Sequence, residues 1–174
     1  MSDTSQEYRG KVGGMSEAEM QVFLERGVCA RVACLDTDGN PYVTVVWHEW
    51  RDGAFWFVGR KHAGWCEFMA NDGRVSIVVD VPDTLEKVWC KATAEVVEEP
   101  NVDGEWVSIA ERMSVRYLGP DGPTYLTASL QQPRWLIKAT PTELQTWQGV
   151  GWARRYWVKD TGGPGYDEAH GFDK

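Results

Sequence analysis

The chain has 174 residues, of which 43% are hydrophobic and 25% are charged, as is ordinary for a soluble globular domain. Its formal net charge of −8 argues against a general nucleic-acid binder, because phosphate neutralisation requires a basic face. The longest apolar runs are far shorter than a membrane span, so we expect no membrane partner and a cytoplasmic location. Ten tryptophans are unusual, and some of them should lie in a cleft or an interface.

The four cysteines are Cys29, Cys34, Cys66 and Cys90. They show neither C-x-x-C spacing nor a nearby histidine that would complete a zinc pattern, so the sequence predicts no metal site. All four lie in apolar runs, and we interpret them as buried thiols.

The first predicted element is a short amphipathic helix. Residues 1–14 lack the apolar core of a signal peptide and are predicted to be a flexible lead. Ser16 and Glu19 then form a capping-box pattern, and Met20, Phe23 and Leu24 mark one helical face before Gly27.

Strands dominate the rest of the chain. Apolar and β-branched runs bounded by turn residues predict five strands, over residues 28–35, 41–50, 54–58, 74–81 and 86–97. Helical spacing of apolar residues predicts two further helices, over residues 63–71 and 104–117. Two closing strands, 135–139 and 144–147, are predicted on either side of Pro141, and residues 160–174 form a small, polar tail that we expect to be flexible.

This order predicts a mainly β fold with peripheral helices, an antiparallel barrel forming a single domain over residues 15–159. A doubly wound sheet is not expected, because strands and helices do not alternate and no G-x-G-x-x-G motif is present.

Two stretches carry a resemblance to a known family. The motif GNPY at residues 39–42 leads into the second strand, and an aromatic third strand is followed by a helix that ends in DGRVS at residues 72–76. This pattern, over about residues 16–97, resembles the pyridoxamine 5′-phosphate oxidase-like superfamily of split β-barrel flavin and deazaflavin oxidoreductases. The segments 132–137 and 151–157 resemble an oxidase-like subgroup of it.

The resemblance implies an FMN-binding split barrel and a homodimer that holds FMN or the deazaflavin coenzyme F-420 between its subunits. The cofactor ring would lie along the second strand, and its phosphate where the third strand meets the helix. A tryptophan and an arginine near the C-terminus would close the site. The implied cofactor-binding residues are Val45, Val46, Trp47, Arg60, Lys61, His62, Trp65, Trp152 and Arg155.

The chain also departs from the family pattern. Gly64 and Trp65 stand where true pyridoxamine-phosphate oxidases place an Arg and a Lys for the flavin phosphate, so vitamin B6 chemistry is not expected. The phosphate contact then falls to the cationic residues 60–62, or to the tail of the partner. Trp65 would either stack on a ring or belong to the core.

The residue types at this corner favour a bound anion independently of the resemblance. Free amides at a helix start and neighbouring cations both stabilise negative charge, although a solvated surface cluster would have the same composition. Arg155 is equally compatible with a bidentate contact to a phosphate or carboxylate and with packing at a strand edge. His48 is the best candidate proton donor, with a structural, half-buried histidine as the alternative.

The resemblance implies an oxidoreductase that transfers a hydride through FMN or coenzyme F-420, and the many tryptophans suggest a small aromatic or conjugated substrate. Hydrolysis has no motif to support it. The alternatives are a haem- or tetrapyrrole-binding protein with His48, His62 or His170 as axial ligand, and a cofactor-binding dimer without catalysis.

Overall fold

The computed structural model describes residues 14–149, which form seven strands and four helices. In chain order these are α1 (Glu17–Leu24), β1 (Ala30–Leu35), β2 (Pro41–Val46), β3 (Glu49–Arg51), β4 (Ala54–Arg60), α2 (Gly64–Asn71), β5 (Arg74–Val81), β6 (Glu86–Asn101), α3 (Trp106–Leu118), α4 (Gly122–Thr127) and β7 (Arg134–Trp147). The predicted lead, of which only Gly14 is described, and the predicted tail lie outside these residues.

All seven strands join one antiparallel sheet in the order β2-β1-β5-β6-β7-β4-β3. The prediction of a mainly antiparallel β fold with peripheral helices is confirmed. Strands β2 and β3 are the two edges of the sheet, yet only two residues separate Val46 from Glu49, so the sheet curls until its edges lie close together and the chain crosses directly from one edge to the other. No described helix is long and apolar enough to cross a membrane.

The prediction of one strand over residues 41–50 is wrong, because the strand is interrupted at Trp47 and His48. There the backbone bonds to side chains of α3 instead of to a strand. The His48 amide donates to the hydroxyl of Tyr117 at 3.1 Å, and the His48 carbonyl accepts from Arg116 at 3.0 Å. The crossing is thus fixed by one helix.

Three further differences concern the second half of the chain. Helix α4 was not predicted, although Pro123 in its first turn suits a helix start. Strand β7 is continuous where two strands were predicted, and a register shift in β6 between Lys91 and Ala92 accommodates Pro141. Strand β6 also extends four residues beyond the predicted end, to Asn101.

Helix α1 begins as predicted. The Ser16 hydroxyl accepts from the Glu19 amide at 3.3 Å, and the Glu19 carboxylate accepts from the Ser16 amide at 2.7 Å. The predicted face of Met20, Phe23 and Leu24 is buried. The sequence pattern therefore located both the start of this helix and the side that it buries.

The core has two parts. The main core lies between the sheet and helices α1 and α2, and it contains residues such as Phe23, Phe57 and Ile77. The second part, which we call the helix core, packs α3 and α4 against β4 and β7. Its buried members are Trp56, Trp106, Ile109, Ala110, Met113, Leu126 and Leu136. The site described next lies along the edge of the helix core.

Candidate functional site

A cavity of about 640 Å³ opens where the ends of β2 and β4 meet α3, α4 and the start of β7. This volume falls within the range of small-molecule and cofactor pockets. It is lined by Val45, Val46, Trp47, Val58, Gly59, Arg60, Lys61, His62, Ala63, Trp65, Ala110, Met113, Tyr125, Leu126, Gln132, Pro133 and Arg134.

Seven of the nine residues predicted to bind a cofactor line this one cavity. They come from two separate parts of the sequence, and they are Val45, Val46, Trp47, Arg60, Lys61, His62 and Trp65. The other two, Trp152 and Arg155, lie outside the described residues. The structure thus gathers the described candidates in one place, and their role as cofactor ligands stays a prediction.

The cationic corner is held in place by β7. The Lys61 amide donates to the Pro133 carbonyl at 2.9 Å, and the Lys61 carbonyl accepts from the Trp135 indole at 3.0 Å. Helix α2 starts three residues later with Ala63 at its N-cap, and no side chain from residues 14–149 caps it. The corner therefore combines exposed cations with the uncapped amides of a helix start.

Gly59 allows α2 to pack closely on the end of β4. A Cβ atom at this position would lie 2.0 Å from the sulfur of Cys66 and 2.8 Å from the ring of Trp65. Trp65 in turn packs edge to face on Phe57, with ring centroids 6.4 Å apart. Only glycine leaves room for this contact, which sets the wall of the cavity that Trp65 contributes.

The charge of the cavity is opposite to that of the chain. Among the residues that the structure describes, its lining includes Arg60, Lys61 and Arg134 but no Asp or Glu, although the chain as a whole carries −8. The remaining lining is largely apolar and aromatic. A ligand with a flat apolar part and an anionic group matches this lining.

Arg134 was not among the sequence candidates, since nothing in the run QPRW distinguishes it from a surface arginine. Arg134 lines the cavity but is only 8% exposed, and its guanidinium lies 5.3 Å from the centroid of the Trp106 ring. One nitrogen donates to the Ser129 hydroxyl at 2.7 Å, while its buried Nε has no partner among the described residues. Burial, together with the nearby charge of Arg60, lowers the pKa of Arg134.

Trp47 forms the aromatic side of the cavity, and its ring is held by two tyrosines. It stacks on Tyr117 with an angle of 3° and a centroid distance of 4.9 Å, and it contacts Tyr125 at 6.0 Å. The Tyr117 hydroxyl is itself fixed, because it donates to the Val28 carbonyl at 3.0 Å and accepts from the His48 amide at 3.1 Å. Burial raises the pKa of Tyr117 to about 12, so this hydroxyl stays protonated.

His48, the predicted proton donor, lies away from the cavity. Its side chain is fully buried, it is not part of the cavity lining, and its Nδ1 lies 3.1 Å from the Tyr117 hydroxyl. Burial and the charge of Arg116 lower the pKa of His48 to about 4, against an opposing effect of the Leu24 carbonyl. His48 is thus neutral at pH 7 and anchors Tyr117.

The cysteines behave largely as expected. Cys34, Cys66 and Cys90 are buried and Cys29 is partly exposed, and all four thiols are free. Burial raises the pKa of Cys34 and of Cys66, and raises that of Cys90 to about 12, which keeps these thiols protonated. Within residues 14–149 no cluster of His, Cys, Asp or Glu could hold a metal ion.

The family model for pyridoxamine 5′-phosphate oxidase matches residues 16–148, most of the chain. The chain therefore belongs to this family, and the resemblance noted in its sequence is confirmed. No curated protein sequence matches it.

Solved structures of similar fold confirm the split β-barrel. A conserved hypothetical protein from Mycobacterium tuberculosis, Rv2991, is 24% identical, with a TM-score of 0.64 over 81% of this chain and 95% of its own. An F-420 reductase is 21% identical, with a TM-score of 0.58 over 71% and 94%. HutZ from Vibrio cholerae, a haem storage protein, is 18% identical, with a TM-score of 0.58 over 75% and 94%. At these identities the likeness establishes the fold alone.

Proposed function

We propose that this protein is an oxidoreductase that uses FMN or coenzyme F-420 and transfers a hydride to or from a small aromatic or conjugated substrate. The observation that carries the proposal is the cavity itself, whose lining within residues 14–149 combines flat apolar walls with three cations and no carboxylate. Membership of a family whose fold also occurs in an F-420 reductase supports the same assignment.

Each part of the lining has a task in this proposal. When bound, a flavin or deazaflavin supplies the hydride chemistry, and the protein supplies binding and orientation. Val45 and Val46 offer an apolar surface to the ring, and Trp47, fixed by its stacking on Tyr117, limits the angles at which a ring can enter. Arg60, Lys61 and His62 hold the anionic group of the cofactor at the start of α2.

We further propose a homodimer that shares the cofactor and resides in the cytoplasm. The edge strand β2 exposes apolar side chains, with Val43 at 63% and Val45 at 61% exposure. Val45 also lines the cavity, so a second copy seated on β2 would cover both the exposed valines and the cavity mouth.

The absorbance spectrum of the purified protein tests the cofactor directly. Bound FMN would copurify as a yellow chromophore, whereas coenzyme F-420 would be added and followed through quenching of tryptophan emission. Replacing Arg60 and Lys61 with Ala should weaken either cofactor about tenfold or more, because two charge-assisted contacts are lost. If a folded dimer binds neither cofactor at micromolar concentration, the proposal fails.

Turnover requires a separate measurement, because a cofactor carrier would bind equally well. The loaded protein is reduced without oxygen, and reoxidation is then followed after addition of a conjugated quinone. If the protein is an enzyme, its bound cofactor is reoxidised by the quinone much faster than the free cofactor under the same conditions. Equal reoxidation rates for the bound and the free cofactor would indicate a cofactor-binding protein without catalysis.

A haem- or tetrapyrrole-binding protein is the second candidate, and one observation favours it. His62 lines the cavity and is exposed, so its imidazole is available as an axial ligand, whereas His48 is buried away from the cavity. Addition of haem should then give a Soret band that His62→Ala shifts or removes and His170→Ala leaves unchanged. A band that survives both substitutions excludes ligation by either residue.

A further inference from the structure

Two arginines face each other at the end of the sheet that borders the cavity. Strands β4 and β7 are antiparallel, and their register places Arg60 directly opposite Arg134. Like charges at opposite positions of an antiparallel pair destabilise it. Both side chains line the same cavity, so the repulsion is concentrated where a ligand would lie.

No carboxylate relieves this repulsion within the described part of the chain. Nine ion pairs are found there, and none of them involves Arg60, Arg134 or Lys61. In the part of the chain that the structure describes, the Arg134 side chain makes a single hydrogen bond, to the Ser129 hydroxyl, and its Nε is buried without a partner. A guanidinium has five N–H donors, so further donors of this side chain can bond to a ligand.

Packing alone does not explain an arginine at this position. The contact of Arg134 with the ring of Trp106 contributes some stability, but the side chain is more than nine-tenths buried and carries a charge. An apolar side chain of similar length, such as Met, would cover the same ring without the cost of burying that charge. An anion between the two arginines would neutralise the charge and use the free donors.

The surroundings favour a phosphate group. Lys61 lies next to Arg60, and the uncapped start of α2 adds backbone amides on the same side of the cavity. Guanidinium groups match the tetrahedral oxygens of a phosphate through paired hydrogen bonds, which a single ammonium group does not provide.

We propose that Arg60 and Arg134 form a clamp for a phosphate group of the ligand, with Arg60 as its exposed arm and Arg134 as its buried arm. This inference rests on the proposed function in one respect, since it assigns the phosphate to the ring-bearing cofactor. It adds a specificity-determining residue on β7 to the corner formed by residues 60–62.

The test compares FMN with riboflavin, which differ only in the phosphate. Dissociation constants are measured by flavin fluorescence for the unaltered protein and for Arg134→Met, Arg134→Lys and Arg51→Met. Arg51 is the matched control, because it lies 4.2 Å from the Trp56 ring, as Arg134 lies over Trp106, yet it does not line the cavity. Circular dichroism confirms folding, and Arg60→Gln, at an exposed position, repeats the test if Arg134→Met does not fold.

The clamp predicts a preference for FMN over riboflavin that Arg134→Met reduces about tenfold or more, while riboflavin affinity stays within about twofold. Arg134→Lys should keep only part of the preference for FMN, whereas Arg51→Met should keep all of it. An unchanged preference in Arg134→Met and Arg60→Gln, with both flavins still bound, would overturn the clamp and leave the proposed function standing.

A ring-free probe separates the two proposals. Inorganic pyrophosphate is titrated calorimetrically into the same set of proteins at constant ionic strength. Binding that weakens in Arg134→Met but not in Arg51→Met supports the clamp even if no flavin or coenzyme F-420 binds, in which case only the proposed function fails. Pyrophosphate binding that is absent, or equal in both variants, counts against the clamp.

Discussion

The arginines that lie near the two ends of strand β4 differ in whether they have carboxylate partners. Near the start of β4, Arg112 donates two hydrogen bonds, of 2.9 and 2.8 Å, to the Glu49 carboxylate, and Arg51 forms an ion pair with Glu105 at 2.9 Å. At its far end, Arg60 and Arg134 face each other and neither has a carboxylate partner within residues 14–149. The first end is therefore electrostatically complete, whereas the second requires an external anion.

The difference separates structural charges from charges that are available for binding. Glu49 is 4% exposed, so its pairing with Arg112 satisfies a buried charge within the fold. Arg134 is almost as buried but lies beside a cavity, which is where an unsatisfied cation can serve a ligand.

The largest effect is expected from Gly59, which holds α2 against the far end of β4. The side chain of Gly59→Val would collide with the sulfur of Cys66 and the ring of Trp65, and we expect a loss of about 3 kcal/mol in the free energy of unfolding. Chemical denaturation measures it. Gly64→Ala is the control, since a Cβ there would meet only Phe68, at 3.5 Å, and equal losses in both variants would contradict this account.

Arg112→Met should disrupt the start of β4. It leaves the buried Glu49 carboxylate with only a distant contact to Arg51 at 3.9 Å, and since Arg112 is itself about half exposed, we expect a cost of about 2 kcal/mol. Denaturant unfolding of Arg26→Met, which removes an arginine from a more exposed pair with Glu86, should show less than about 1 kcal/mol. Similar losses of stability in Arg112→Met and Arg26→Met would show that the burial of Glu49 does not make its ion pair more important.

Acid should destabilise the crossing between the two edges of the sheet, where His48 precedes β3. The pKa of His48 is about 4 when folded and about 6.5 when unfolded, so the unfolded chain binds the extra proton between these values. Stability is therefore lost as pH falls from 6.5 towards 4, by about 2 kcal/mol at pH 5 relative to pH 7.

Unfolding curves of the unaltered protein and His48→Gln at the two pH values isolate this contribution. Carboxyl groups with lowered pKa values, such as Asp36 and Glu86, lose their stabilising effect in both proteins as acid is added. The difference between the two proteins therefore reports His48 alone. Parallel pH profiles would show that folding does not lower the pKa of His48, which would contradict this prediction.

Tyr117→Phe should have the smallest of these effects. It removes the hydroxyl that satisfies the His48 amide and the Val28 carbonyl but keeps the ring that stacks on Trp47, so we expect a cost of about 1 kcal/mol. The near-ultraviolet circular dichroism of the tryptophans should change, because the stacked pair is no longer anchored. An unaltered spectrum with unaltered stability would remove Tyr117 from the positioning of the cavity wall.

Local patterns predicted one side of the cavity well. The motif at residues 39–42, the capping box at Ser16 and the strand-to-helix corner at residues 60–62 depend on near neighbours in the chain, and the start of β2 and helices α1 and α2 lie where the sequence indicated. The family resemblance supplied the reason to connect Val45–Trp47 with that corner.

The opposite side depends on contacts between distant parts of the chain. The break at His48 is imposed by Tyr117 and Arg116, about 70 positions away, and Arg134 becomes a cavity residue only because β7 pairs with β4. Helix α4 was hidden in a run rich in Gly and Pro. No local pattern reports such partners, so the buried arm of the proposed clamp could be found only in the folded chain.

The effect of Arg134→Met on stability, with and without inorganic pyrophosphate, tests the central contrast most directly. Without the anion, the account predicts a variant within about 1 kcal/mol of the unaltered protein, or more stable than it, because a buried unpaired charge is removed. With pyrophosphate at about 100 times its dissociation constant, the unaltered protein should gain about 2–3 kcal/mol and the variant about 1 kcal/mol less. A variant that is as damaged as Arg112→Met without the anion, and equally stabilised by it, would contradict the account.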